Sequence, residues 1–241
     1  NWSRAGFDEN KVYVTLKNVR IDTKKTSYMA DSVLYHNEEF FAKPLLGWFE
    51  DKATLVSDEE RVTYPRFKSY DKRVRLNNYF ENVDFEGGIE MKGARFVGAG
   101  DADNQAFLIF KRDNKDFVVI SAENITLKKT GVNSSMCRAF IFLDKDTIYH
   151  SAVEMKYNDE KKELVIYRTK DGISQAPFFN TFHKVDMYFE AIYWKTDESL
   201  MEFKMIQGPG QARMAVFESY DFLDENRLKQ IQQMHNRNPL I

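Results

Sequence analysis

Apolar and polar residues alternate along most of this chain. Val12, Val14 and Leu16 share one parity of residues 11–21, with polar residues or Tyr13 between them. A two-residue period is the signature of a half-buried strand. The pattern returns over 27–35, where Met29, Val33 and Tyr35 share a parity, and over 45–49, 53–56 and 61–70. Pro65 cannot donate to a sheet ladder, so the last of these is expected at an edge. Short strands then follow at close spacing over 106–111, 117–122, 125–128, 138–143, 147–149, 153–157 and 164–168, and later over 186–195, 201–206 and 214–218. The turns between them read Asp113-Asn114-Lys115-Asp116, Asp144-Lys145-Asp146 and Asn158-Asp159-Glu160-Lys161. Asp and Asn bond to their own backbone and tolerate left-handed conformations, so they turn the chain without glycine.

Two segments break the alternation. Residues 85–100 hold five of the eleven glycines, and glycine inside a strand pattern marks a bend or a close backbone approach. Residues 223–235 place Leu228, Ile231 and Met234 three apart, with Leu223 five residues earlier. Acids come early and bases late there, as a helix dipole prefers. The expected fold is mainly β, an antiparallel or stacked (solenoid- or jelly-roll-like) sheet domain with a C-terminal α-helix. Residues 1–221 form the β-rich domain, with a sub-boundary near 80 as the alternative division, and 222–241 the helix and tail.

Composition narrows the function. The chain has 241 residues, 43% hydrophobic and 30% charged, with a formal net charge of −2. Apolar surface is ample to offset ordering entropy, which excludes a disordered chain. Acids and bases nearly cancel, so overall charge does not recruit nucleic acid or anionic lipid. The excess is aromatic: 20 Phe, 12 Tyr and 3 Trp, beside 5 Pro. The lone Cys137 permits no intrachain disulfide and reads as a small buried apolar residue. No run approaches the ~20 apolar residues of a membrane-spanning helix. Asn1 at the first position is expected of a processed or excised piece.

The motifs of bond chemistry do not assemble. His36, His150, His183 and His235 lie far apart, without metal-ligand spacing. Asp101-Ala102-Asp103-Asn104-Gln105 resembles the opening of a calcium loop, but the sixth-position glycine is missing and Arg112 stands where the closing acid belongs. Gly98-x-Gly100 has no third glycine and no following helix pattern, and Gly208-Pro209-Gly210 reads as a tight turn. With 37 acids, sequence cannot select the carboxylate pair of a glycosidase. No catalytic residue, cofactor-binding residue, cofactor or metal ligand is assigned. The basic, aromatic-interleaved run from Arg66 to Arg75 suits single-stranded nucleic acid, but a charged, guarded edge strand is the preferred reading. Residues 177–194 are the densest aromatic cluster. They read first as core and second as a ligand platform, with Tyr188, Phe189 and Trp194 as the candidate ligand-binding residues.

Gly87-Gly88-Ile89-x-Met91-x-Gly93, Gly172-Ile173-Ser174-Gln175-Ala176-Pro177-Phe178-Phe179 and Tyr188-Phe189-Glu190-x-Ile192-x-Trp194 resemble segments of large, uncharacterised Bacteroidetes proteins, in which this chain would be an internal piece. More loosely, Ala30-Asp31-Ser32-Val33-Leu34-Tyr35 is similar to phrases of the β-jelly-roll modules of the lipopolysaccharide-transport (OstA-like) family, without that family's short regular repeat. Asp31-Ser32-Val33 and Asp146-Thr147-Ile148 match the acid-hydroxyl-aliphatic pattern of Bacteroidetes O-glycosylation. The echo between 31–36 and 146–150 is either coincidence or a shared unit, which would make them successive rungs of one stack. Strand density and the missing motifs point to a non-catalytic structural or interaction module, and the resemblance places it at the cell envelope or periplasm, with other envelope proteins, lipid or glycan as partners. The alternatives are a lipid- or glycan-binding β module and a carbohydrate-active enzyme. Nucleic acid is the disfavoured partner.

Overall fold

The structure, a computed structural model, describes residues 2–17, 19, 21–52, 63–169, 172–206, 214–220 and 229. Alternating burial along these residues builds eighteen strands. The first four are β1 (Val12–Thr15), β2 (Ser27–Asn37), β3 (Leu45–Lys52) and β4 (Arg66–Ser69). β5 (Val74–Phe80), β6 (Val83–Lys92), β7 (Arg95–Ala99), β8 (Ala106–Arg112), β9 (Lys115–Ala122) and β10 (Asn124–Lys128) lead to two long strands, β11 (Gly131–Leu143) and β12 (Asp146–Asn158). The last six are short: β13 (Glu163–Tyr167), β14 (Phe178–Asn180), β15 (Val185–Tyr188), β16 (Ala191–Lys195), β17 (Met201–Lys204) and β18 (Val216–Ser219). Every pairing is antiparallel, so the expected mainly β class is the one observed.

Three long strands change partners along their length. β6 pairs with β5 and β8 through its first half and with β4 and β7 through its second. β11 pairs with β10 near Asn133 and with β9 from Arg138 to Ile141. β12 pairs with β14 at Ile148 and Tyr149 and with β13 from Glu154 onward. One continuous sheet therefore folds into two layers. Layer I runs β1-β2-β3-β4-β6-β7-β10-β11-β12-β13-β16-β17, and layer II runs β5-β6-β8-β9-β11-β12-β14-β15-β18. Register shifts on either side of Cys137 mark where β11 passes from one layer to the other, as bulges bend a strand and increase its twist.

The aromatic excess fills the space between the layers. Phe110 of layer II lies 5.1 Å from Tyr157 and 6.2 Å from Trp194 of layer I, both edge-on. Tyr35 stacks on Phe67 at 4.6 Å. Such pairs contribute roughly 0.5–1.5 kcal/mol each beyond their buried area. The core is continuous across residue 80, which sits in the β5–β6 hairpin with Phe80 opposite Val83. Gly87, Gly88 and Gly98 serve the β6 crossing. The Phe85 ring occupies the space a Cβ at Gly98 would need, and a Cβ at Gly87 would fall 2.8 Å from that of Ala106.

Several expectations change. β4 is an interior strand between β3 and β6, not an edge. Pro65 precedes its first ladder residue, so no ladder bond is lost, and its carbonyl accepts from Gly93 N–H at 2.9 Å. Segments 147–149 and 153–157 are one strand, β12, while 186–195 divides into β15 and β16. β5 and β14 were not foreseen. The echoed motifs are not successive rungs: β2 lies in layer I and the first half of β12 in layer II. Val33 and Ile148 both point inward, but the extra residue before Tyr35 buries it while Tyr149 faces out. The strand expected at 53–56 lies outside the described residues, as does the helix at 223–235 save the exposed Lys229.

Candidate functional site

The outer face of layer I carries one unbroken cross-strand row. It runs Trp48, Lys68, Glu90, Val97, Thr126, Asn133, Lys156, Val165, Tyr193 and Glu202. None of these is buried, as the strand period requires of the side facing away from the core. At the β3–β6 end the charges around the row are paired. Arg66 meets Glu50 at 3.7 Å, and Glu90 is held between Lys68 at 2.7 Å and Lys92 at 3.3 Å. Partial burial pushes the Glu90 carboxyl up, but the two lysines outweigh it and leave it below the usual range.

Between β10 and β16 the same face hollows into a concavity of about 800 Å³. Its chemistry comes from Lys128, Asn133, Lys156, Lys161, Tyr167 and Tyr193, and Glu163 is the one carboxylate among the described lining residues. Lys128, Lys156 and Lys161 have no ion-pair partner among the described residues. The Lys156 ammonium lies 5.7 Å over the Tyr167 ring, and that of Lys204 lies 4.8 Å over Tyr193. The Tyr167 hydroxyl donates to Glu154 Oε2 at 2.5 Å. Burial first and this carboxylate second push the phenol up to about 12.

The outer face of layer II differs in kind. Its central row runs Asp84, Ile109, Val119, Phe140, Tyr149, Phe179, Asp186 and Glu218. Phe140, Tyr149 and Phe179 stack in sequence, with centroids 6.3 and 5.0 Å apart and planes within 22°. Each inner ring face is covered by its neighbour, so the row presents ring edges to its surroundings. At its end Asp186 Oδ1 is buried without a hydrogen-bond partner.

The three candidate ligand residues do not share a groove. Phe189 is fully buried, stacked between Phe178 at 4.5 Å and Phe203 at 4.7 Å. Trp194 is also core, edge-on to Phe117 at 5.0 Å, with its indole N–H donating to the Glu198 carbonyl at 2.9 Å. Only Tyr188 is part-exposed, opposite Val216 of β18. The reason is topological. The chain passes from layer II to layer I at Phe189–Glu190, and adjacent strand residues point to opposite faces.

Other candidate chemistries are already engaged. In the basic run, Arg66 and Lys68 are paired as above, Lys72 meets Asp101 at 2.9 Å, and Arg73 and Arg75 meet Glu86 at 3.6 and 2.7 Å. The Asp101 carboxylate accepts from Lys72 and from the Asn104 and Asp103 N–H groups at 2.7 and 3.1 Å. The lysine first, then Asn104, lower its pKa to about 2. Its oxygens close their own turn rather than a calcium loop. Among the described residues no three of His, Cys, Asp and Glu gather as for a metal ion. Burial pushes the Cys137 thiol up to about 12, which leaves it unreactive. His150 is fully buried. Its Nδ1 accepts from Ala152 N–H at 3.0 Å, and its Nε2 donates to the Ala176 carbonyl at 2.8 Å. The Gly208-Pro209-Gly210 turn lies outside the described residues.

The lysines of the concavity were not singled out from sequence. They come from β10, β12 and the β12–β13 turn, and no spacing along the chain announces them. Comparison with known proteins returns no matching family model, no matching curated protein and no matching solved structure.

Proposed function

We propose that this chain is a non-catalytic interaction module whose working surface is the outer face of layer I. One observation carries the reading: Lys128, Lys156 and Lys161 line one concavity without an ion-pair partner among the described residues, with Glu163 the one carboxylate beside them. An exposed ion pair contributes little to stability, and three unpaired ammonium groups contribute no more. Their convergence is better suited to a ligand than to the fold. Lysine, tyrosine and asparagine offer donors for anions and hydroxyls. A place at the cell envelope belongs to the same reading and is supported by the sequence resemblance alone.

The test is retention of the intact chain on a panel of neutral and acidic glycans and of anionic and zwitterionic vesicles. Product analysis is run on every bound ligand. Retention on at least one ligand, lost in a K128A/K156A/K161A variant and without new reducing ends, is the expected result. Release of reducing ends would replace the module with a carbohydrate-active enzyme. Retention unchanged by the triple variant, or none at all, would remove layer I as the working face.

A further inference from the structure

We infer that the concavity between β10 and β16 binds an acidic polysaccharide in extended form, its spaced carboxylates or sulfates held by Lys128, Lys156 and Lys161. The inference rests on the reading of layer I as the working face and names the ligand class. Five strands floor the hollow, β10, β11, β12, β13 and β16. Four strand spacings make it about 19 Å across, room for a chain of several sugars rather than one small ion. The lysines enter the hollow from separate places in the sheet. Lys128 stands two strands from Lys156 and two residues along, which separates their backbones by about 12 Å. Such spacing fits a polymer whose negative groups recur at intervals.

The aromatic geometry points the same way. Base stacking needs open ring faces, but Tyr167 and Tyr193 each carry an ammonium over one face. Tyr193 offers its phenol there, the Tyr167 hydroxyl being engaged with Glu154, and Asn133 adds an amide with two donors and an acceptor. Those groups match the hydroxyls of a sugar. A lipid chain would need an apolar trough, and this one has Asn133, Lys156, Glu163 and Tyr167 among its lining.

The experiment uses the whole chain and four probes: hyaluronan, with one carboxylate on every second sugar; neutral dextran; poly(dT); and anionic phospholipid vesicles. Hyaluronan should bind at least tenfold more tightly than dextran or poly(dT). Three lysine contacts should weaken it by up to roughly tenfold between 50 and 200 mM salt. K128A/K156A/K161A should lose at least tenfold in affinity with its thermal midpoint unchanged. K68A/K92A, which removes the paired lysines of the same face, should bind as the parent does. Equal binding of dextran and hyaluronan, lost in the triple variant, would overturn the acidic class and leave the working face standing. Preference for poly(dT) or for vesicles would overturn the inference in favour of that class. Binding indifferent to the triple variant, or none to any probe, would overturn both.

Discussion

The two outer faces arise from the same alternation in the same sheet, yet they are finished differently. Layer I pairs acids and bases around Glu90 and leaves three lysines without ion-pair partners over a hollow. Layer II fills the middle of its outward row with carbon, a run of Ile109, Val119, Phe140, Tyr149 and Phe179 in which three rings stack on one another. Exposed ion pairs are weak and screened by salt, whereas stacked rings keep their contacts in any buffer. A binary pattern therefore decides which residues leave the core but not what holds them once outside. Layer II has put stability into its surface. Layer I has kept groups available.

The contrast can be broken most severely at the joint between the layers. Gly98→Val drives a side chain into the Phe85 ring and should cost about 3 kcal/mol, read as a lower urea midpoint. An unchanged midpoint would mean the ring moves freely and the crossing is loose. A second test compares the faces directly. Tyr149→Ala removes the centre of the ring stack and should cost about 2 kcal/mol, two aromatic contacts at roughly 1 kcal/mol each. Lys156→Ala should stay within about 0.5 kcal/mol. Equal losses would erase the distinction.

A smaller difference depends on pH. Burial first, and the Arg168 charge as well, hold the His150 pKa below its ordinary value, against the hydrogen bond to the Ala176 carbonyl. The unfolded chain then takes up the proton more readily than the folded one. Stability is complete above about pH 6.5, the unperturbed histidine value, and falls as pH drops through it. Hydrogen exchange should register this in β12 and residues 172–176, where His150 is anchored, before β4 and β7 of layer I. A His150→Leu variant whose stability falls by the same amount between pH 7.5 and 5 would move the cause elsewhere.

Much of the fold was legible because a half-buried strand writes itself in two-residue steps. β8, β9, β10 and β13 lie within two residues of the segments read from periodicity. β5 escaped because Asn77, Asn78 and Tyr79 follow Leu76, so its apolar positions do not alternate. The irregularity expected of the glycine-rich segment is the β6 crossing, since close approach to the Phe85 ring excludes side chains there. The candidate site was hidden for the opposite reason. Tyr188, Phe189 and Trp194 are dense in sequence but are split between surface and core by one layer crossing. Lys128 and Lys156 are 28 positions apart and meet only through the register of β10, β11 and β12.

That register has a mechanical side. β6, β11 and β12 belong to both layers, so three continuous strands, as well as packing, join layer I to layer II. A polymer tugging on the β10–β16 trough would load β11 and β12 directly. The tension would pass lengthwise along those strands into the ring-stacked layer. The lysine-bearing face would thus be tied to the ring-stacked one by strands that run through both.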